Sequence, residues 1–234
     1  MRFFILIKQA VIPWNFVQQQ VHSHQIFVPF RPIFDKMGGE WPTLETYNDL
    51  ASSVGAEFPF RFVDQNAMRK SSRASQSKVG SLGSYVLAAS SKHISTRIFN
   101  VHDLFNVMTY LMFPKTKSAI MELHLSEQNS MEPSRKGMGG RGRTRLQDLL
   151  TLFDEGGAIA SQGATQSLIV FGHGVLEEFI TSPKQIRVFA WHCGSEQSWD
   201  IRQLDQNLSV SLAKEGSLSD KEVFSGCYLP PGWI

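Results

Sequence analysis

A chain of 234 residues with 42% hydrophobic and 19% charged residues has the composition of a folded globular protein, which excludes disorder as its main state. Its formal net charge of +2 is too small by itself to imply a nucleic-acid partner. The two cysteines, Cys193 and Cys227, make no disulfide framework and point to a reducing compartment.

The N-terminal apolar run, Phe3 to Ile7, is shorter than a signal peptide requires, and Lys8 and Pro13 interrupt the residues after it. No segment reaches the length of a membrane-spanning helix. The expectation is a soluble, cytoplasmic protein with no membrane partner.

Residues 1–42 are dense in proline and aromatic residues, among them Pro13, Trp14, Pro29, Phe30, Pro32, Trp41 and Pro42. Such proline density reads as an irregular N-terminal arm packed onto a main domain spanning 43–234. Leu44, Tyr47, Leu50 and Val54 keep helical spacing, and Gly55 stands where a C-terminal cap belongs. Phe58 to Val63 reads as a strand near an edge, because Pro59 cannot donate to a ladder. Residues 68–83 are rich in serine, glycine and basic side chains and read as a flexible loop. An apolar segment resumes at Tyr85 and runs on to Phe99.

The densest chemistry lies between Asn100 and His124. Asn100 is a good helix N-cap, with Asp103 in the first turn, where a negative charge suits the helix dipole. Leu104, Val107, Met108, Leu111 and Met112 form an apolar face, while His102 and Asn106, four apart, share another. Pro114 ends that helix, and a second fits Thr116 to Leu125. An antiparallel hairpin of the two helices would bring His102 and His124 to the same end. The plainer alternative is that His102 and Asp103 only cap a helix and His124 lies at the surface.

Residues 127–144 mix glycines with Arg135, Lys136, Arg141 and Arg143 and read as a second loop. Glycine with arginine can follow a phosphate backbone, but the small net charge argues against it. Thr144 caps a helix carrying Leu146, Leu149, Leu150 and Phe153 at i, i+3, i+4 and i+7. That helix ends in Asp154-Glu155, two carboxylates at the end where the dipole opposes them, and broken local rules of this kind gather at sites. A strand begins at Ala158, and Ser167 to Phe171 reads as a buried one. Gly172-His173-Gly174 then opens a helix, with Glu177 four residues on as a partner for His173. A structural histidine bonded to backbone at the turn is the competing reading. Ile186 to Trp191 is the next strand, Trp199 to Leu208 a further helix, and residues 229–234 an extended terminus.

Together these elements predict an α+β fold, with a helical hairpin and further helices packed on a small mixed sheet in a single domain. The order of the motifs Asn100-x-His-Asp-Leu-Phe-Asn106, Phe113-Pro-Lys-Thr-Lys117, His124, Thr151-Leu-Phe-Asp-Glu155, Phe171-Gly-His173 and Pro231-Gly-Trp233 resembles the bacterial family called domain of unknown function 3025. The resemblance covers most of the chain from about residue 40 and implies no established activity.

Two functions compete. The first is a metal-assisted hydrolase acting on a small anionic substrate, a phosphoester or an amide. His102, His124, His173 and Glu177 are the candidate metal ligands. Asp103, Asp154, Glu155, Lys115 and Lys117 are the candidate catalytic groups, and Arg97 and Asn106 the candidate substrate-binding ones. Imidazole mixed with carboxylate suits zinc, manganese or iron. The second is a non-catalytic binding or assembly protein whose polar motifs are structural and whose basic loops contact a partner, with nucleic acid as one option.

Overall fold

The computed structural model describes residues 11–55, 58–65, 81–130, 144–161, 168–182, 185–193, 200–214, 224–230 and 233. The fold is α+β. The basic loops expected at 68–83 and 127–144 fall mostly outside the described residues. Where they are described, Ser81 to Gly83 and Glu127 to Ser130 are helical, and Thr144 is the N-cap of the helix that follows.

Residues 1–10 of the proline-rich start lie outside the described residues, and from Trp14 to Met37 the chain is largely helical, not irregular. Pro13 precedes helix α1 (Trp14–Ser23), and turns of 3-10 and α-helix run from Gln25 to Met37. Proline suits this arrangement because each one stands before or inside a short turn, where a missing N–H does little harm. Arg31 closes α1 by donating to the carbonyls of Val21, His22 and His24. The aromatics of this region join the core. Phe27 stacks on Phe105 and meets Phe179 edge-on, and Trp14 packs between Phe34 and Trp41.

Thr43 caps α2 (Leu44–Val54) through a reciprocal bond with Thr46. Gly55 comes next at φ 108°, a left-handed conformation that a side chain would resist. β1 (Arg61–Asp64) then pairs in parallel with β2 (His93–Thr96), separated by α3 (Ser81–Ser91). A parallel pair needs a long crossover, which α3 supplies.

α4 (Val101–Met112) lies in the interior, with every residue buried except His102 and Asn106. A helix apolar on nearly every side is a core helix, and its two uncovered residues mark the side with different work. Asn100 caps it by accepting the Asp103 N–H. Pro114 opens α5 (Pro114–Ser130) directly afterwards. The N–H groups of Lys115 and Thr116 at the start of α5 donate to Asp205, a residue of α8 (Ile201–Ala213). α5 packs chiefly on α8 and α3 rather than along α4.

Thr144 and Gln147 form a capping box at the start of α6 (Arg145–Gly156). The second sheet is mixed, in the order β4-β3-β5-β6. β3 (Gly157–Ser161) pairs antiparallel with β4 (Leu168–Val170) and parallel with β5 (Arg187–Cys193), and β5 pairs antiparallel with β6 (Phe224–Tyr228). β6 lies in a stretch where the sequence pattern is weak, and pairing with β5 rather than local alternation defines it. α7 (His173–Thr181) leaves β4 and packs on α4 and α6. Among the described residues, no helix is long and apolar enough to cross a membrane.

Candidate metal centre

Three elements bring the site together. α4 carries His102 in its first turn, α6 ends in Asp154 and Glu155, and α7 begins at His173. The glycines around His173 allow the close approach. A Cβ on Gly172 would stand 2.5 Å from both the Glu155 carbonyl oxygen and the Gly157 nitrogen. One on Gly174 would stand 3.0 Å from the Glu155 carbonyl oxygen and Oε2. Gly172 has φ −68°, so its role here is close backbone contact rather than a sharp turn. The N–H groups of Phe171 and Gly172 both donate to the Gly157 carbonyl, which sets the start of α7 against the end of α6.

The Nε2 atoms of His102 and His173 lie 3.2 Å apart, their rings nearly perpendicular. Glu155 Oε2 lies 3.3 Å from His173 Nε2. One ligand atom from each of His102, Glu155 and His173 falls within 4.8 Å of the others. Bonds of about 2.0–2.2 Å at roughly tetrahedral angles separate two ligand atoms by a little over 3 Å. The two shorter separations meet that spacing.

On its other side the His102 ring bonds Glu177, with Nδ1 2.8 Å from Oε2. This bond raises the His102 pKa above its ordinary value, against the lowering effect of burial. Burial pushes the Glu155 carboxyl up, but the hydrogen bond and charge of His173 outweigh it and hold it below the usual range. Glu177 therefore partners His102 and not His173, as the spacing within one helix had suggested. A contact spanning 75 residues decides the pairing.

Behind this group is a second, closed one. Lys117 Nζ donates to Asp154 Oδ1 at 2.6 Å and to Asn106 Oδ1 at 2.9 Å, over the faces of Tyr110 and Phe171. The Tyr85 hydroxyl donates to Asp154 Oδ2 at 2.9 Å. Burial pushes the Asp154 carboxyl up, but Lys117, His173 and the Tyr85 bond together bring it below its ordinary value. The two carboxylates that end α6 against its dipole are thus each offset by a specific partner, Lys117 for Asp154 and His173 for Glu155.

Other candidates stand apart. Asp103 accepts two bonds from the Arg97 guanidinium and one from its backbone N–H, so it ties β2 to α4. Lys115 turns to α8, where Nζ reaches Gln206. The His124 ring is buried and stacks on Tyr85, with centroids 4.3 Å apart. It is not in the metal-capable group, because α5 packs toward α3, which carries Tyr85, and not along α4. Sequence reasoning missed Tyr85, Tyr110 and Asp205. Tyr85 acts over 69 residues and Asp205 over 90, and no local pattern marks either, while Tyr110 lies beneath the Lys117 ammonium.

A family model described as "Protein of unknown function (DUF3025)" matches residues 60–168. The match contains His102, Asn106, Lys117, Asp154 and Glu155, and stops before His173 and Glu177. No curated protein and no solved structure matches the chain. The resemblance read from the motifs is therefore shown: over residues 60–168 this chain matches the family described as Protein of unknown function (DUF3025).

Proposed function

We propose that His102, His173 and Glu155 hold a divalent metal, and that the protein uses it to hydrolyse a small anionic phosphoester or amide. The observation that carries the reading is the convergence of two imidazole Nε2 atoms and one carboxylate oxygen, with Glu177 behind His102. A carboxylate on the far nitrogen of a ligating histidine fixes the ring and raises its basicity. Two histidines and a carboxylate suit zinc, and equally suit iron or manganese.

A metal held there supplies Lewis acidity toward a substrate oxygen and toward the attacking water. Glu155, with its side chain 43% exposed, keeps the site open to solvent. Glu177, at 33%, stays behind His102 as the carboxylate that orients its ring. Solvent at the open rim takes the proton released as water oxygen bonds to phosphorus or to the carbonyl carbon, and supplies one to the leaving group as its bond breaks. The Arg97 guanidinium is half-exposed and within the field of Glu177, and is the cation assigned to a substrate anion.

Metal analysis of the purified full chain tests the reading. Wild type retains about one divalent ion per chain, the capacity of a single three-ligand centre, while His102→Ala and His173→Ala lose it. Equal metal content in all three proteins sinks the proposal. Hydrolysis of a model phosphomonoester or amide that a chelator abolishes and added metal restores then separates an enzyme from a metal-binding structural protein.

The second reading, a non-catalytic binding or assembly protein, draws on a different observation. Asp103, Asn106, Lys115 and Lys117 all make internal bonds that cap helices or join elements. It predicts stable protein with no metal and no turnover.

A further inference from the structure

The closed group behind the histidines is costly to build. Lys117 and Asp154 have side chains only 1% and 3% exposed. Burying two charges costs several kcal/mol per ion, and a well-packed apolar pair is often as stable or more so. Stability alone gives no reason for this lysine and aspartate.

Position gives one. Asp154 Oδ2 is 4.0 Å from His173 Nδ1, beyond hydrogen-bond range. Among the described residues, His173 Nδ1 is buried and has no hydrogen-bond partner. A buried nitrogen facing a carboxylate oxygen favours an N–H over a lone pair at that position. On the other side of the site a carboxylate also stands behind a histidine, there at bonding distance: Glu177 behind His102.

We propose that Asp154 is the positioning residue of His173: it holds the ring so that Nδ1 carries the hydrogen and Nε2 faces His102 and Glu155. Lys117 and Tyr85 in turn hold Asp154, one on each carboxylate oxygen. Lys117 is thus a support beneath the site and does not touch substrate. The proposal rests on the metal reading above and adds to it the origin of the metal affinity.

Zinc titration of the metal-free full chain against a competing chelator tests it. Three variants are compared with wild type: Asp154→Asn, Lys117→Met/Asp154→Asn, and Tyr85→Phe. The double variant removes both buried charges and keeps the charge balance. Tyr85→Phe removes one hydrogen bond and leaves the ion pair intact.

The expected result is zinc binding about 10- to 100-fold weaker in the double variant, the range for loss of such an outer carboxylate, with cooperative thermal unfolding of the metal-free protein retained. Tyr85→Phe weakens zinc by less, in the same direction, and reports even if both Asp154 variants fail to fold. In the zinc-loaded wild type, a slowly exchanging downfield imidazole N–H appears in the proton spectrum, and the Asp154 variants lose it. Zinc affinity within threefold of wild type in a folded double variant, or in Tyr85→Phe where the others do not fold, overturns the positioning role and leaves the metal reading standing. A wild type that binds no zinc, manganese or iron overturns both.

Discussion

The two polar groups of this protein lie back to back and obey opposite rules. The inner one is centred on Lys117 and Asp154, which are almost fully buried and whose charges match, with the half-buried Asn106 and Tyr85 at its edge. In the outer one, His102 and Glu177 are 28% and 33% exposed, and two ring nitrogens and a carboxylate oxygen point at a common place. A closed network fixes geometry, because each donor has found its acceptor. An open convergence of ligand atoms invites an occupant. The contrast underlies the proposal that Lys117 is support beneath the site.

The strongest way to break the contrast is to unbalance the inner group. Lys117→Met leaves a buried carboxylate without its cation and is expected to cost about 3–5 kcal/mol in urea unfolding at neutral pH. The sign of the pKa shift sets the pH dependence. The folded pKa of Asp154 lies below its ordinary value, so its stabilisation is present above the unfolded value of about 3.9 and is lost as pH falls through the folded one. Without Lys117 the folded pKa rises. The gap between wild type and variant therefore narrows as pH falls toward that window. A gap constant with pH would show that the pair is not a matched ion pair.

A smaller effect is expected where the two groups meet in the backbone. Gly172→Ala puts a Cβ 2.5 Å from the Glu155 carbonyl and the Gly157 nitrogen, so backbone must shift. Overpacking of this kind costs about 1–3 kcal/mol and should move His173 away from Glu155. Thermal unfolding and bound metal should fall together in this variant. Loss of stability with metal affinity intact would separate the close approach from the site.

The smallest effect belongs to Arg97, at the rim. Arg97→Lys loses the two-pronged contact with Asp103, but its side chain is 47% exposed. Solvent screening keeps the expected loss to about 1 kcal/mol or less, measured by urea unfolding. A loss several times larger would make Arg97–Asp103 part of the closed support.

Much of the fold is encoded locally. The caps at Asn100 and Thr144, the proline break at Pro114 and the alternation of helix and strand from Arg145 onward depend on neighbours within four residues, which is the range that periodicity reads. The Asp154-Glu155 pair was legible as a local conflict with the helix dipole. His102 and His173 stood out by residue type and spacing.

Partnership was not legible, because it is a property of packing. Glu177 is four residues from His173 yet bonds His102 across 75 residues. His124 has the chemistry of a ligand, but α5 docks on α3 and α8 and gives it to Tyr85. The N-terminal arm reads as irregular from its prolines, while burial of its aromatics against α4 and α7 orders it into helices. β6 exists because β5 offers it a ladder. Local propensity ranges over a turn of helix or a pair of residues in a strand. The choice of which charge meets which is made by apolar burial, which brings distant segments together and leaves their polar groups to find partners in the positions that remain.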